Sequence, residues 1–115
     1  MIMKQNEIWL VDLNPTVGAE FQKIRPSIIV SNDAAGKLPL RIIIPITDWK
    51  TAYFDAPWLV RLRPNQDNSL QKISAADCFQ VRSVSENRFT RKIGTLANNE
   101  VSEIKTALTN IFSLP

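Results

Sequence analysis

The chain has 115 residues, with 14 Lys and Arg against 11 Asp and Glu, one cysteine and no histidine. That excludes an intrachain disulfide, a Cys/His zinc site, and any Ser–His–Asp or Cys–His nucleophile system. The length suits one domain over 1–115; no apolar run reaches transmembrane length and nothing behind Lys4 resembles a signal peptide, so the chain reads as soluble and cytoplasmic.

Glu7–Leu13 (EIWLVDL) predicts a strand, and the loop 14–23 follows, marked by Asn14-Pro15 and Gly18. Pro26–Ser31 is a short β-branched strand, and 32–38 a turn. Leu40–Thr47 is a further strand that Pro45 breaks or bends, because proline removes a ladder donor. A second long loop covers 48–57. Trp58–Leu62 is a strand, 64–68 a turn, Ser74–Val84 a longer strand and Lys92–Leu96 a short one. The tail changes period: Val101, Ile104, Leu108, Ile111 and Phe112 fall at helical spacing, with Asn98 or Asn99 as cap and Glu100 at the positive end of the dipole. The fold class is therefore mainly β, several short strands forming a small barrel closed by one C-terminal amphipathic helix.

Charge is unevenly spread. Residues 60–92 hold seven cations (Arg61, Arg63, Lys72, Arg82, Arg88, Arg91, Lys92) against Asp67, Asp77 and Glu86, netting +4, whereas 1–59 balance six against six. A basic middle suits a polyanion bound through its phosphates, and equally fits a solvated basic face.

Catalysis here must come from Arg, Lys, Asp, Glu, Ser, Thr or Tyr, or from a carboxylate-bound metal ion. If strands 26–31 and 40–46 form a meander, Arg25 and Thr47 sit at adjoining ends of an antiparallel pair. RNA cleavage without a metal needs charge stabilisation on the phosphate, which a guanidinium fork and a hydroxyl donor supply. Arg25 is suited to electrostatic and acid-like work, and Glu20 is the nearest candidate base. Plainer roles exist for each: a surface charge for Arg25, a backbone-satisfied hydroxyl for Thr47, a solvated carboxylate for Glu20. Trp9 belongs in the core. Trp49, on the second loop, is the better partner for stacking on a base. Cys78 reads as a small buried apolar residue.

These residues form an ordered pattern. Ile8–Asp33 (IWLVDLNPTVGAEFQKIRPSIIVSND) closely resembles the opening of the MazF/PemK family of toxin ribonucleases, through the Asn14-Pro15-Thr16 turn, Gly18, Glu20, Arg25-Pro26 and the Val-Ser-Asn strand end. Pro45-Ile46-Thr47, Gln80-Val81-Arg82-Ser83-Val84 and Gly94-Thr95-Leu96 resemble later landmarks. The resemblance implies an SH3-like, CcdB/PemK-type barrel that forms a homodimer. It implies metal-independent, sequence-selective cleavage of single-stranded RNA to 2′,3′-cyclic phosphate and 5′-hydroxyl ends, with no cofactor. The family's catalytic arginine and threonine correspond to Arg25 and Thr47, and a loop glutamate of some members to Glu20. RNA contacts are expected from Thr16, Lys23, Ser31, Asn32, Trp49, Gln80 and Arg82. A cognate antitoxin whose acidic tail blocks the RNA groove is implied, with DNA contact only through that complex.

One position departs from the pattern. Many members carry Asp-Gln where this chain has Phe79-Gln80, so the carboxylate role does not transfer. Asp77, two residues earlier, falls on the same face if the strand is continuous. The competing functions are a toxin of the same fold that inhibits a protein such as DNA gyrase, and a non-enzymatic nucleic-acid-binding barrel.

Overall fold

A computed structural model describes residues 2–35 and 37–115. Seven strands, β1 (Glu7–Asp12), β2 (Ile24–Ile29), β3 (Leu40–Asp48), β4 (Leu59–Leu62), β5 (Ser74–Asp77), β6 (Arg82–Ser85) and β7 (Phe89–Thr95), precede one helix, α1 (Asn98–Ile111). They form an antiparallel sheet in the order β4-β5-β3-β2-β1-β7, with β6 also on β3. The expected order, strands first and a terminal helix last, is the order observed. The sheet is open among the described residues, with no pairing between β4 and β7, so the barrel does not close.

The central strands are buried on both faces. Ile8, Ile28, Ile44 and Ile46 join Val60, Leu62 and Ala76 in one core, which Ile104 and Ala107 of α1 cover. Trp9, Val11, Ile29 and Ile43 point the other way, into a second core with Met3, Leu13, Val84 and Phe89. Two cores explain why these strands read as unbroken apolar runs rather than alternating ones. Each isoleucine buried this way contributes roughly 1.5–3 kcal/mol.

Pro45 neither breaks β3 nor ends it. It is fully buried, and it marks where β3 changes partner along one edge. Leu40–Ile43 pair with β6 and Ile46–Asp48 pair with β5, leaving the proline between the two ladders, where its missing N–H costs nothing. The same change corrects the long strand expected over Ser74–Val84. To serve both halves of β3, the chain must step across Pro45. It does so in a 3-10 turn at Cys78–Gln80, capped by Asp77, whose carboxylate accepts from Phe79 N at 3.1 Å. Asp77 and Phe79 therefore do not share a strand face.

Two further boundaries differ from expectation. β7 begins at Phe89, not Lys92. At α1 neither Asn98 nor Asn99 caps: Ala97 is the N-cap residue, and Glu100 reaches back to accept from Ala97 N at 2.8 Å. The other Glu100 oxygen accepts from the buried Asn68 side chain at 3.0 Å. Asn68 also donates to Arg63 O and accepts from Asn65 N and Leu70 N, tying the 63–70 turn to the helix.

Candidate active site

The β2–β3 register pairs Ser27 with Pro45 and Ile28 with Ile44. Continued two residues, it sets Arg25 opposite Thr47, at adjoining ends of the meander. Arg25 Nη1 donates to Thr47 Oγ1 at 3.4 Å. Its Nε donates to Gln22 O at 3.0 Å, and the guanidinium lies over the Phe21 ring, 4.9 Å from the centroid. Two of the five guanidinium N–H groups are thereby used, and the remainder stay available to a ligand. Because Thr47 Oγ1 accepts from arginine, its own proton is free to be donated elsewhere. A fixed cation and a hydroxyl donor thus converge at a half-buried position. Both line a cleft of about 500 Å³ that also exposes Lys72, Arg91 and Lys92. Asp48 lines it too, held in an exposed ion pair with Lys72 at 3.0 Å.

Trp49 continues the sheet face of Thr47, two residues further on. It meets Tyr53 and Phe54 edge to face, with centroids 5.7 and 5.4 Å apart. Beneath them lies Arg61, its guanidinium 5.2 Å from the centroids of both Trp49 and Phe54. The register Arg25–Thr47–Ala75–Arg61 places this second arginine three strands across from the first on one face. Arg61 Nε is buried without a hydrogen-bond partner. From sequence, Arg61 registers only as net charge. Its place between the buried Val60 and Leu62 fixes the face it must take, but nothing local says that Trp49 and Thr47 share that face.

The other expected site residues fall elsewhere. Glu20 is one residue from Phe21, yet its carboxylate accepts from Val17 N at 2.8 Å and lines a separate hollow with Phe79, Gln80 and Arg82. Gln80 holds the loop: its Oε1 accepts from Phe21 N at 2.6 Å and its Nε2 donates to Ala19 O at 3.2 Å. Arg82 donates to Leu13 O at 3.3 Å, and Arg88 donates to Asp12 O and Asn14 O. Lys23 sits at the loop's base with φ 71°, its N–H donating to Asn14 Oδ1, and Thr16 lies half-buried further along the loop. Ser31 and Asn32 lie at the far end of β2, about 20 Å along the strand from Arg25. There Ser31 Oγ accepts from Ile42 N and Asn32 Oδ1 from Ala34 N. Within one protomer, the structure brings Arg25 and Thr47 together, sets Trp49 against Arg61, Tyr53 and Phe54, and leaves Glu20, Gln80, Arg82, Ser31 and Asn32 apart.

The residues with displaced titrations lie outside the cleft. Burial pushes the Asp77 carboxyl upward against hydrogen bonds from Phe79 and Gln80. Burial, aided by the Asp77 charge, pushes the Cys78 thiol to about 12. Asp77 is thus a buried turn cap rather than a substitute for the carboxylate missing at Phe79, which is itself 68% exposed and edge-on to Trp58.

Residues 4–112 match the family described as PemK-like, MazF-like toxin of type II toxin-antitoxin system. The chain belongs to this family. Endoribonuclease MazF9 of Mycobacterium tuberculosis is 32% identical to it over 113 residues, spanning 93% of both chains. Endoribonuclease MazF of Staphylococcus saprophyticus is 26% identical, spanning 93% of this chain and 88% of its own. The crystal structure of MazF from Deinococcus radiodurans superposes with a TM-score of 0.82 at 18% identity and covers 99% of each chain. A mycobacterial endoribonuclease solved in complex with its cognate antitoxin gives 0.78 at 17% identity, over 99% of this chain and 98% of its own. At such low identity these structures establish the MazF/PemK-type fold, with its terminal helix, for this chain.

Proposed function

We propose that this MazF/PemK-type chain is the toxin of a type II toxin–antitoxin pair and acts as a sequence-selective endoribonuclease on single-stranded RNA. The observation that carries the reading is the 3.4 Å contact between Arg25 Nη1 and Thr47 Oγ1 at an open cleft. A scissile phosphate placed there meets a permanently charged fork and a hydroxyl donor. As the 2′-oxygen attacks, negative charge grows on the phosphoryl oxygens, and donors already oriented toward it stabilise that charge without reorganising. Cleavage by the neighbouring 2′-hydroxyl gives a 2′,3′-cyclic phosphate and a 5′-hydroxyl. The free guanidinium N–H groups hold the phosphate while the 5′-oxygen departs. None of these steps calls on a metal or cofactor. Glu20, whose carboxylate is held on Val17 N in a separate hollow, must leave that contact to take the 2′-proton. Trp49, stiffened by Phe54 and Arg61, offers a face for a base.

Named endoribonucleases among the relatives support RNA as substrate, and the antitoxin complex of a fold neighbour supports a protein partner for this chain. Inhibition of a protein such as DNA gyrase is not favoured. It has no use for the Arg25–Thr47 pair, and the relatives named here are nucleases. We place the chain in the cytoplasm, where its RNA would be, and take it to work as a homodimer. No helix among the described residues is long and apolar enough to cross a membrane.

The test is a long single-stranded RNA incubated with the protein in excess EDTA. Discrete cuts with cyclic-phosphate ends are expected. Arg25→Ala and Thr47→Ala should each lower kcat by about 100- to 1000-fold while leaving the circular dichroism unchanged. RNA left intact by folded wild-type protein sinks the proposal. Glu20→Gln should lower kcat; an unchanged kcat takes Glu20 out of the mechanism.

A further inference from the structure

The sheet face that carries Arg25 and Thr47 does not end with them. Directly opposed residues on neighbouring strands point the same way, so Arg25, Thr47, Ala75 and Arg61 form one row across four strands. Three strand spacings separate its ends, about 14 Å. Between Thr47 and Arg61 the row holds only the buried methyl of Ala75, so its middle is low and a guanidinium stands at either end.

Arg61 is held in an unusual way. Its Nε is buried and donates to nothing, a net cost to the fold. Its terminal nitrogens are not buried, and they make no hydrogen bond or ion pair among the described residues. Glu100 and Glu103 of α1 border the same open edge of β4, but neither pairs with it, and both Glu100 oxygens are taken by Ala97 N and Asn68. What restrains the guanidinium is aromatic: the Trp49 and Phe54 centroids each lie 5.2 Å from it. Phe54 touches both Trp49 and Arg61 and is still 65% exposed, so its outer surface is open. A restrained cation with unpaired terminal donors beside an open ring matches the phosphate and base of a nucleotide.

Resting on the nuclease reading, we propose that Arg61 and Phe54 form a second RNA-binding subsite on the face of the Arg25–Thr47 pair. A phosphate lies on the terminal N–H groups of Arg61 and a neighbouring base on the Phe54 ring, while Trp49 packs against both and fixes their relation. Phosphates on one strand of a stacked helix advance about 3.4 Å each along the axis. A strand lying along the row therefore reaches Arg61 a few nucleotides from the cut. Every base has a π-face, so the subsite adds affinity without reading sequence. It stands away from the reacting atoms and is felt equally in the ground and transition states, so it sets KM and not kcat.

The experiment uses a short RNA extending several nucleotides to both sides of one mapped cut, and its fully 2′-O-methylated, uncleavable counterpart. Arg61→Ala should raise KM about tenfold, with kcat and the position of the cut unchanged. For the uncleavable strand it should reduce the slope of log K against log salt by about 0.7, the share of one phosphate contact on a single strand. Arg61→Lys, which keeps the charge, should restore the slope. Phe54→Ala should weaken binding about tenfold without altering the slope. If Arg61→Ala fails to fold by circular dichroism, Phe54→Ala decides, because its ring is mostly exposed and its loss leaves the sheet intact. A fall in kcat at unchanged KM in Arg61→Ala overturns the subsite. If Arg25→Ala abolishes cutting while Arg61→Ala and Phe54→Ala keep wild-type KM and slope, the subsite is wrong and the nuclease reading survives. If the wild-type protein cuts nothing yet binds the methylated strand with an Arg61-dependent slope, the subsite stands and the nuclease reading falls. Failure to bind that strand at all overturns both.

Discussion

Arg25 is fixed by three neighbours that restrain it in different ways. Gln22 O holds Nε, the Phe21 ring supports the guanidinium plane, and Thr47 Oγ1 takes one terminal N–H. Such restraint matters because a donor that must reorient during the reaction loses most of its catalytic value. Glu7 shows the same economy in a structural setting. Burial pushes its carboxyl upward, but hydrogen bonds from Lys4 N and Trp9 Nε1, together with Lys92, outweigh this and hold it below its usual value. A carboxyl lowered on folding adds stability above its unfolded pKa of about 4.3, and that stability is lost as pH falls through the lower folded value. Glu7→Gln should therefore cost on the order of 1–2 kcal/mol at pH 7, a figure dominated by the buried hydrogen bonds because the Lys92 end is half exposed. The gap to wild type should narrow in urea titrations run progressively below pH 4. A gap independent of pH would mean the loss is packing and not charge.

At the scale of elements, the segments that position the site are held by side chains that sequence reading assigns to other work. Gln80, expected on RNA, spans the backbone of Ala19 and Phe21 and so holds the loop that supports Arg25. Asn68, unremarked in a turn, is wholly buried and joins that turn to α1 through Glu100. Gly94 of β7 runs so close to this turn that a Cβ there would lie 2.4 Å from Asn68 O. Since that atom is backbone, Gly94→Ala must move a strand or the turn. It should lower stability by roughly 1–3 kcal/mol, seen as a Tm reduced by several degrees. Asn68→Ala leaves Glu100 and the Arg63 carbonyl without their donor and should cost about as much. If both variants melt with the wild type, the 63–70 turn is not anchored as described. The strands themselves were legible because buried β-branched runs admit few alternatives. The break at Cys78–Gln80 was not, because nothing in Ser74–Val84 records that β3 would pair with both of its ends.

For the whole molecule, the basic middle noted in the sequence becomes spatially meaningful only once β4, β5 and β7 are placed around the Arg25–Thr47 end. Arg61 then stands on the Thr47 face, two strands from it. The homodimer proposed here has a candidate surface where Leu40 and Ile42 stand 45% and 44% exposed on one face of β3, next to the small Ser83 and Ser85 of β6. Sedimentation should give twice the mass of one chain, and Ile42→Lys should shift it toward the single-chain mass with circular dichroism unchanged. A dimer untouched by that change would move the interface elsewhere. Ser31 and Asn32, stranded about 20 Å along β2 from Arg25 in their own protomer, could serve the site only across such an interface.

The sequence by itself bounded which chemistry was possible, indicated most of the strands and the helix, and, granted a meander, set Arg25 beside Thr47. Composition excludes reactions absolutely, burial periodicity is local, and a short antiparallel meander leaves little freedom in register. Only the tertiary structure decided that Glu20 and Gln80 stand apart from that pair, that Asp77 is a buried cap, and that Arg61 lies against Trp49 and Phe54. Those relations depend on which distant strands become neighbours, and that is settled by the packing of two cores at once, not by any stretch of chain read alone.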